Sequence, residues 1–494
     1  MTTLNTRESF LNTIQHHFGH DPVWVLVVGD LMLDRYLFGD VQRISPEAPV
    51  PVVLLTSQDE RAGGAANVAA NLVGLGIKTK IAGVIGEDNE AATLLSLMKH
   101  IDVDTQYIHH SRQRPTITKT RILGGHQQMM RLDQEDASAL TAEEHSALQA
   151  TIATALAERP AAIILSDYAK GVLSETLSQF VIHQAREAGI PVLVDPKGRD
   201  YSKYRGATGL TPNKRETTEA CNLSITDNAT LLASAEQLRK TLNLEFLAVT
   251  RGEEGISVLD NHGSAHLAAT ARQVYDVSGA GDTVIATLTA GLAHGLPLHD
   301  AIELANIAAG IVVGKVGTVP ISKAELESEL HSQQSAAQAD KVCPTLETLL
   351  ARVKTWRQQG ERIVFTNGCF DLLHAGHVTY LEAAHKTGDR LVLGLNTDRS
   401  VGALKGPSRP VIHESDRARV LAALESVDAV ILFDEDTPME LIKAVRPDVI
   451  VKGSDYTEDQ VVGGAEVKSW GGKVALIDVV PGRSTSNIIQ KLAS

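Results

Sequence analysis

The stretch that decides the fold is Val23-Trp24-Val25-Leu26-Val27-Val28, an unbroken apolar run that ends in Gly29-Asp30. Apolar runs without polar alternation are typical of central parallel strands, which are covered on both faces. Two further runs of this kind also end in a polar turn: Ala161–Leu165 before Ser166-Asp167, and Ile190–Val194 before Asp195. Amphipathic segments separate the runs. The sequence therefore predicts a doubly wound α/β domain.

The segments between these runs carry the signals of helices. Thr141 and Glu144 have the spacing of a capping box, which starts a helix, and Pro160 ends it. An apolar stripe at helical spacing lies between them at Leu148, Ile152 and Leu156. A second helix is predicted to begin at Ser174 and to end at Gly189.

Two stretches depart from this pattern and predict a small separate sheet. Residues 115–123 alternate with period two, as a strand with one exposed face does. Residues 36–55 are also strand-like, and their three prolines, at 46, 49 and 51, favour an edge position. Together they predict a small β-lid over the mouth of the α/β domain, or a dimer contact.

A second domain is predicted after a polar stretch rich in small residues. Residues 331–344 are interpreted as a linker between a first domain, 1–330, and a second, 345–494. A helix through Leu346 to Trp356 starts the second domain. Apolar runs predict its strands at 363–365, 391–393, 429–432, 449–451 and 474–477. This alternation indicates a compact, Rossmann-like α/β domain.

The composition excludes several classes of protein. The chain has 494 residues and a net charge of −14, and residues 1–330 carry 27 Lys and Arg against 39 Asp and Glu. Neither part resembles a binder of the nucleic-acid backbone. Three cysteines without metal-ligand spacing fit a reducing compartment. Because neither a signal peptide nor a membrane-spanning run is recognisable, a cytoplasmic protein is expected.

The first candidate site is Asp276-Val277-Ser278-Gly279-Ala280-Gly281-Asp282-Thr283, which an apolar helical stripe follows. Small residues directly before a helix leave backbone N–H groups bare at its positive end, where they can bind phosphate. Asp282 lies where a carboxylate can take a proton from an attacking hydroxyl. The alternative from this string alone is a glycine-rich loop with a capping aspartate.

Four stretches of the chain resemble, in order, the patterns of ribokinase-like PfkB carbohydrate kinases. They are Gly63-Gly64-Ala65-Ala66-Asn67-Val68-Ala69, Asn213-Lys214-Arg215-Glu216, Thr250-Arg251-Gly252 and 276–283. The resemblance implies that Asp282 is the catalytic base and that Gly279, Ala280 and Gly281 form the anion hole. It implies sugar contacts from Asp30, Asp34, Gly63, Gly64 and Asn67. It also implies nucleotide contacts from Asn213, Lys214, Arg215, Glu216, Thr250 and Gly252, with Mg²⁺ organised indirectly by Asn213 and Glu216.

Each of these elements also has a simpler interpretation. The two aspartates, Asp30 and Asp34, fit surface turns, and the glycine pair fits a tight turn before a helix. Asn213 and Glu216 have the spacing of a capping box. Lys197 and Arg199 could bind a phosphate already on the sugar, but solvated loop cations explain them equally well.

The second candidate site is Phe365-Thr366-Asn367-Gly368-Cys369-Phe370-Asp371-Leu372-Leu373-His374-Ala375-Gly376-His377. It follows a predicted strand and opens a helix, so His374 and His377 share one side of the first turn. At the positive helix end the two imidazoles can hold an α-phosphate while pyrophosphate leaves. On spacing alone, a zinc site or two surface histidines remain open.

This string resembles the histidine motif of the cytidylyltransferase-like nucleotidyltransferases, a resemblance that covers roughly the last 130 residues. It implies catalytic roles for His374 and His377. Lys405 has the position of that family's flexible-loop lysine, with Arg409 close by, although an ordinary loop lysine is the alternative. The other nucleotide contacts that it implies are Thr366, Phe370, Ser484, Thr485 and Ser486.

The fusion of the two resembles the bifunctional heptose enzymes of Gram-negative bacteria. This resemblance implies ATP-dependent phosphorylation of a heptose 7-phosphate at the anomeric hydroxyl and AMP transfer from ATP to heptose 1-phosphate. The product, ADP-heptose, is used for lipopolysaccharide. The expected partners are ATP with Mg²⁺, sugar phosphates and a second copy bound through the β-lid. The alternative hypotheses are another sugar kinase fused to a cytidylyltransferase, and a sugar-phosphate sensor.

Overall fold

The chain divides into two compact units, Met1–Leu330 and His331–Ser494. The computed structural model describes residues 4–125, 127–223, 227–270, 274–315 and 317–478. Of the proposed nucleotide contacts, Ser484, Thr485 and Ser486 lie outside the described residues. In the part of the chain that is described, no helix is long and apolar enough to cross a membrane.

The first unit alternates strands and helices. In chain order its strands are β1 (Trp24–Gly29), β2 (Leu31–Ile44), β3 (Pro51–Gly64), β4 (Lys78–Gly86), β5 (Asp104–Ser111), β6 (Ile117–Gly124), β7 (Gln127–Gln134), β8 (Ala162–Ser166), β9 (Val192–Asp195), β10 (Gly209–Leu210), β11 (Phe246–Thr250), β12 (Ile256–Asp260) and β13 (Gly263–Leu267). Its helices are α1 (Leu4–His16), α2 (Ala65–Gly74), α3 (Asn89–His100), α4 (Ala142–Ala157), α5 (Glu175–Glu187), α6 (Lys214–Ala220), α7 (Asn228–Leu242), α8 (Ala280–Ala293) and α9 (Leu298–Val312). The next helix, α10 (Lys323–Asp340), begins in this unit and ends in the second. The two helices predicted from capping signals are α4, capped by Thr141, and α5, capped by Ser174.

A nine-stranded sheet forms the centre of this unit, in the order β13-β12-β11-β10-β9-β8-β1-β4-β5. Its strands pair in parallel except at β12 and β13, which are antiparallel. Val25 and Val27 of β1 pack into the core on one face, and Leu26 and Val28 pack into the core on the other. This confirms the prediction that the apolar run is a strand covered on both faces.

The position of β1 explains where a ligand can bind. Its neighbours are β4 on one side and β8 on the other, so the chain order of the strands reverses at β1. In open α/β sheets, ligands bind at the carboxyl ends of the strands beside such a reversal. Asp30 directly follows β1, and Asp167 directly follows β8, so both lie at this edge.

The predicted β-lid is a four-stranded sheet with the order β3-β2-β6-β7. The stretch 36–55 is not one strand, because Pro46 and Pro49 lie in the turn between β2 and β3. Pro51 begins β3, which is an edge strand, as the prolines predicted. Strand β7 was not predicted, because its residues are all exposed and their sequence shows no apolar alternation.

The second unit contains a parallel sheet in the order β14-β17-β16-β15-β18-β19. Its strands are β14 (Val342–Cys343), β15 (Ile363–Gly368), β16 (Arg390–Asn396), β17 (Ala429–Phe433), β18 (Val449–Gly453) and β19 (Lys473–Ile477). Its helices are α11 (Leu346–Gln358), α12 (Ala375–His385), α13 (Asp398–Lys405), α14 (Glu414–Ala422), α15 (Met439–Val445) and α16 (Gly464–Ser469). The reversal of strand order beside β15 places the loop between β15 and α12 at the expected ligand edge.

The stretch interpreted as a linker, 331–344, has more regular structure than predicted. Helix α10 continues to Asp340, and Val342–Cys343 forms β14, which pairs in parallel with Val430 and Ile431 of β17. A two-residue edge strand is too short to show a periodic pattern, so its sequence did not reveal it.

Candidate active sites

Asp282 lies in the first turn of α8, at the carboxyl edge of the large sheet. Gly279 is the N-cap of this helix and has a left-handed backbone, with φ 80°. A Cβ on Gly281 would meet nothing within 4 Å, so the space beside this turn is open. The Ala280 N–H donates to the Val277 carbonyl at 3.3 Å. The positive end of the helix is suited to bind an anion, and the anion hole of Gly279, Ala280 and Gly281 stays a prediction.

The Asp282 carboxylate is held by two hydrogen bonds from different elements. Asn67 of α2 donates its Nδ2–H to Oδ2 at 2.6 Å, and the Tyr168 hydroxyl donates to Oδ1 at 2.8 Å. Burial raises the pKa of Asp282 to about 6, although both hydrogen bonds oppose this rise. A carboxylate with a pKa near neutrality is suited to accept a proton from a sugar hydroxyl.

A buried amide network fixes Asn67 in turn. The Asn71 amide, one turn further along α2, donates to the backbone carbonyl of Asn67 at 2.8 Å. The Oδ1 atom of Asn71 accepts from the Thr283 hydroxyl at 2.9 Å and from the backbone of Ile321 at 3.0 Å. Because Thr283 follows Asp282, this network ties α2 to the start of α8.

Asp30 is fully buried and holds the loop that follows β8. Its carboxylate accepts backbone N–H bonds from Tyr168 at 2.8 Å, Lys170 at 3.0 Å and Val172 at 3.2 Å. Burial and the nearby Asp167 raise the pKa of Asp30. These contacts give Asp30 a structural role in the loop, whereas its contact with the sugar stays a prediction.

The surroundings of Gly63 and Gly64 leave no room for a side chain at either position. The Oδ1 atom of Asp34 accepts from the Arg121 guanidinium at 2.6 Å, across the pairing of β2 with β6. A Cβ on Gly63 would lie 2.7 Å from Oδ2 of Asp34. A Cβ on Gly64 would lie 2.6 Å from the Asp30 carbonyl oxygen, and Gly64 also has φ 57°. Gly63 and Gly64 are the last residues of β3 and directly precede α2, so the pair belongs to a strand as well as to the turn into a helix.

A cavity of about 190 Å³ brings most of the proposed nucleotide residues together with the base. The predicted residues that line it are Asn213, Glu216, Thr250, Gly279, Gly281 and Asp282. Lys214 and Arg215 instead form ion pairs, with Glu254 at 3.0 Å and Glu219 at 2.8 Å. The Arg215 side chain is 88% exposed, and Gly252 does not line the cavity.

Asn213 and Glu216 form the capping box that the sequence left open. Asn213 accepts from the backbone of Glu216 at 2.9 Å, and Glu216 accepts from the backbone of Asn213 at 2.9 Å. The other oxygen of Glu216 pairs with Lys197 at 2.7 Å. Both residues therefore stabilise the start of α6 while they line the cavity, and their role toward magnesium stays a prediction.

In the second unit, His374 and His377 lie at the start of α12, where His374 is the N-cap residue. Their rings stack with centroids 3.8 Å apart and planes 16° from parallel. Phe370, 8% exposed, packs its ring at 5.1 Å and 63° against His377. No group of three or more His, Cys, Asp or Glu that could hold a metal occurs among the described residues.

The surroundings of His377 favour its neutral form. Burial, together with the nearby His374 and Lys405, lowers its pKa to about 4. The charge of Lys405, at the end of α13, thus acts on His377, and the role of Lys405 toward nucleotide stays a prediction. A phosphate between these groups would offset their mutual repulsion.

The loop before α12 is fixed by two buried polar residues. Arg417 of α14, 2% exposed, donates to the backbone carbonyls of Cys369 at 2.6 Å and Asn396 at 2.9 Å, and to the Asp398 carboxylate at 2.6 Å. Asp371 pairs with Arg409 and accepts from the backbone of Val411 at 2.6 Å. The hydrogen bonds of Arg417 and Asp371 thus connect the loop before α12 to the segments that follow β16.

Thr366 was predicted as a nucleotide contact, which stays a prediction, and its side chain has partners within the unit. It is fully buried, and its hydroxyl bonds with the Tyr380 hydroxyl at 2.7 Å and the Val451 carbonyl at 3.0 Å. Its side chain therefore stabilises packing within the unit, and only its backbone is left to meet a nucleotide.

Sequence reasoning missed Tyr168 and Arg417. Tyr168 follows a strand that ends in Ser166-Asp167, and the rule that selected Asp30 beyond β1 also points to this position. Arg417 lies in a helix with several other charged residues, and nothing in the local string distinguishes it from an exposed arginine.

Comparison with known proteins matches both units. The family described as pfkB family carbohydrate kinase matches residues 24–325, and the Cytidylyltransferase-like family matches residues 365–490. The bifunctional protein HldE of Methylobacillus flagellatus is 86% identical over 99% of this chain and 100% of its own length. This chain belongs to the HldE family of bifunctional proteins. The HldE protein of Magnetococcus marinus is 56% identical over 95% of this chain and 97% of its own length.

Solved structures support the fold of the kinase unit of this HldE-family chain. Phosphofructokinase-2 from Escherichia coli, in complex with potassium, aligns with a TM-score of 0.54 at 18% identity, over 63% of this chain and 98% of its own. Arabidopsis thaliana ribokinase, complexed with ribose and ATP, aligns with a TM-score of 0.50 at 18% identity, over 62% and 98%. The ribokinase-like fold is confirmed, and the chain is a bifunctional enzyme with a carbohydrate kinase unit and a nucleotidyltransferase-like unit.

Proposed function

We propose that the chain performs two steps in the synthesis of ADP-heptose for the lipopolysaccharide core. The kinase unit phosphorylates D-glycero-β-D-manno-heptose 7-phosphate at the anomeric hydroxyl and forms the 1,7-bisphosphate. After a separate phosphatase removes the 7-phosphate, the second unit transfers AMP from ATP to heptose 1-phosphate and releases pyrophosphate. Membership of the HldE family supports the pairing of these two activities in one chain.

The observation that carries the kinase step is the Asp282 carboxylate beside the positive end of α8, inside the cavity. Asp282 takes the proton of the anomeric hydroxyl as the sugar oxygen bonds to the γ-phosphorus of ATP. The bond from that phosphorus to the β,γ-bridging oxygen then breaks, and ADP leaves. The N–H groups of residues 279–281 stabilise the negative charge on the phosphoryl oxygens during transfer.

Mg²⁺ accompanies ATP in the proposed kinase step. Asn213 and Glu216 line the cavity with oxygen donors, which magnesium prefers. Both oxygens of Glu216 already accept hydrogen bonds, so the residues fit an ion that keeps its water shell. When bound, magnesium neutralises charge on the transferred group. The residues of the chain orient the phosphates and remove the sugar proton.

The adenylyl transfer step uses the stacked histidine pair. An oxygen of the sugar 1-phosphate attacks the α-phosphorus of ATP, and the bond to the pyrophosphate oxygen breaks. His374, His377 and Lys405 surround the position where negative charge builds up. The pKa of His377 is lowered to about 4, and the negative charge of the ATP phosphates raises it and favours protonation of His377.

The proposed location is the cytoplasm, and the proposed assembly is a homodimer through the β-lid. Three free cysteines agree with a reducing compartment. Large apolar side chains are exposed on the lid, among them Ile44 at 62%, Leu54 at 63% and Met130 at 55%. Exposed apolar patches of this kind mark interaction surfaces. Replacing Leu54 and Met130 by Glu should convert a dimer to a monomer in light scattering, and a wild-type monomer would contradict the dimer.

Mass spectrometry of the products tests the proposed function. The chain is incubated with ATP and heptose 7-phosphate, with and without a phosphatase specific for the 7-position. The bisphosphate should form without the phosphatase, and ADP-heptose should form only with it. Turnover of another sugar phosphate, or of CTP in place of ATP, would support the rival pairing with a cytidylyltransferase. Binding of ATP without turnover would support a sensor.

A further inference from the structure

Tyr168 reaches the proposed catalytic base from the loop after β8. Its hydroxyl donates to Oδ1 of Asp282 at 2.8 Å, while Asn67 donates to Oδ2 at 2.6 Å. Each oxygen of the carboxylate thus has a donor from a different element. Two donors on opposite oxygens fix the plane of a carboxylate and leave further lone pairs for the sugar hydroxyl.

Tyr168 acts as the donor in this pair. Burial and the Asp282 carboxylate raise the pKa of the Tyr168 phenol well above its ordinary value, so it keeps its proton. A hydrogen bond donated to a carboxylate favours the ionised form of that carboxylate. The Tyr168 bond therefore opposes the effect of burial on Asp282.

The loop that carries Tyr168 is built to hold it in place. The backbone N–H of Tyr168 donates to the buried Asp30 carboxylate at 2.8 Å. The next residue, Ala169, has a left-handed backbone with φ 56°, and its N–H donates to the Asp167 carboxylate at 2.7 Å. Two carboxylates at the ends of β1 and β8 thus fix the backbone from which the Tyr168 side chain extends.

We propose that Tyr168 is a positioning residue for Asp282, fixing the plane of the carboxylate and keeping it in the ionised form that accepts the sugar proton. This inference rests on the proposed role of Asp282 as the base. Tyr168 acts through Asp282, and the sugar hydroxyl is contacted by Asp282.

The charged groups around Asp282 do not replace the Tyr168 bond. Besides burial, the charge of Asp34 of β2 raises the pKa of Asp282, and burial together with the charge of Asp282 raises the pKa of Asp195 at the end of β9. The cations near these carboxylates are already paired, Arg121 with Asp34 and Lys197 with Glu216. Loss of the Tyr168 hydroxyl therefore leaves Asn67 as the donor that stabilises the Asp282 carboxylate.

The test is Tyr168→Phe, which removes one oxygen atom. Initial rates of ATP-dependent phosphorylation are measured from pH 5 to pH 9. We expect kcat at pH 6.5 to fall about 10- to 100-fold, and the acid limb of the profile to move up by about half to one pH unit. The KM values for ATP and the sugar phosphate should change less than about threefold.

Tyr107→Phe is the matched control. Tyr107 is a buried tyrosine of β5 whose hydroxyl donates to Glu158, and it does not line the Asp282 cavity. This variant should keep the wild-type kcat and pH profile. If Tyr168→Phe raised only the KM for the sugar and left the acid limb unchanged, Tyr168 would be a substrate contact, and the proposal would be wrong.

A titration without substrate separates this inference from the proposed function. Carbon-13 NMR of labelled aspartate carboxyl groups follows the Asp282 signal, which is assigned by its loss in Asp282→Asn. The signal should titrate at a higher pH in Tyr168→Phe than in the wild type. An unchanged titration would overturn the inference. If the chain turned over no sugar phosphate, the proposed function would be wrong. The NMR titration of Asp282 would still decide whether Tyr168 positions that carboxylate.

Discussion

The imidazole rings of His374 and His377 stack face to face, with centroids 3.8 Å apart and planes 16° from parallel. Burial, together with the nearby His374 and Lys405, lowers the pKa of His377 to about 4, and two protonated imidazoles at this distance would also repel each other. In the proposed adenylyl transfer we therefore expect His377 to gain positive charge when a polyphosphate binds, and so to stabilise the charge of the transition state.

His377→Ala should abolish adenylyl transfer and leave phosphorylation of the sugar unchanged. We expect a loss of at least about 100-fold, because the variant removes a group that stabilises charge in the transition state. The measurement is ADP-heptose formation from heptose 1-phosphate, beside the kinase rate of the same preparation. His385→Ala, at the other end of α12, is the control and should keep both activities. Loss of both activities in His377→Ala would contradict independent units.

Asp282→Asn should lower the kinase rate by about 100-fold or more, since an amide cannot take the proton of the sugar hydroxyl. The side chain keeps its size, so the melting temperature and the adenylyl transfer rate should stay near wild type. Asp200→Asn, at an exposed loop position, is the matched control and should keep full kinase activity. Near-normal phosphorylation by Asp282→Asn would show that Asp282 is not the base of the kinase step.

The kinase should lose activity in mild acid. Asp282 must be ionised to act as a base, and its pKa is raised to about 6. The value of kcat/KM should therefore be constant above about pH 7 and fall about tenfold per unit well below pH 6, since one proton inactivates the base. Rates measured in buffers of constant ionic strength test this. An acid limb near pH 4, the ordinary value for aspartate, would contradict the raised pKa.

Local patterns predicted most of the fold and the chemistry at strand ends. The apolar run at 23–28 and the small residues before Asp282 can each be recognised from a few consecutive residues. Tyr168 lies 114 positions from Asp282, and a bond between them exists only once the sheet has formed. The hydrogen bond from the Thr366 hydroxyl to the Val451 carbonyl of an adjacent strand likewise cannot be read from the residues around Thr366, whose contact with nucleotide stays a prediction.

Arg417→Ala should destabilise the second unit strongly. The buried guanidinium donates to three backbone carbonyls, of Cys369, Asn396 and Ile412, and to the Asp398 carboxylate. Removing it leaves these acceptors without their donor, at a cost of about 3 to 5 kcal/mol. Denaturant unfolding of the full chain measures this, with the kinase rate as an internal reference. Arg419→Ala, on the same helix, is the control, and an equal effect of the two changes would refute the role of Arg417.

Gly63→Ala should weaken binding of the sugar while leaving ATP binding unchanged. A Cβ at this position would lie 2.7 Å from Oδ2 of Asp34, so the carboxylate must move, and its bond with Arg121 with it. If Asp34 binds a sugar hydroxyl, the KM for the sugar phosphate should rise about tenfold, the cost of one good hydrogen bond. Asp34→Asn should raise the same KM, and the double variant should be no worse than Asp34→Asn alone, because both changes act on one group. Additive effects of the two changes would show that Gly63 acts on the backbone of the lid and that Asp34 does not mediate its effect.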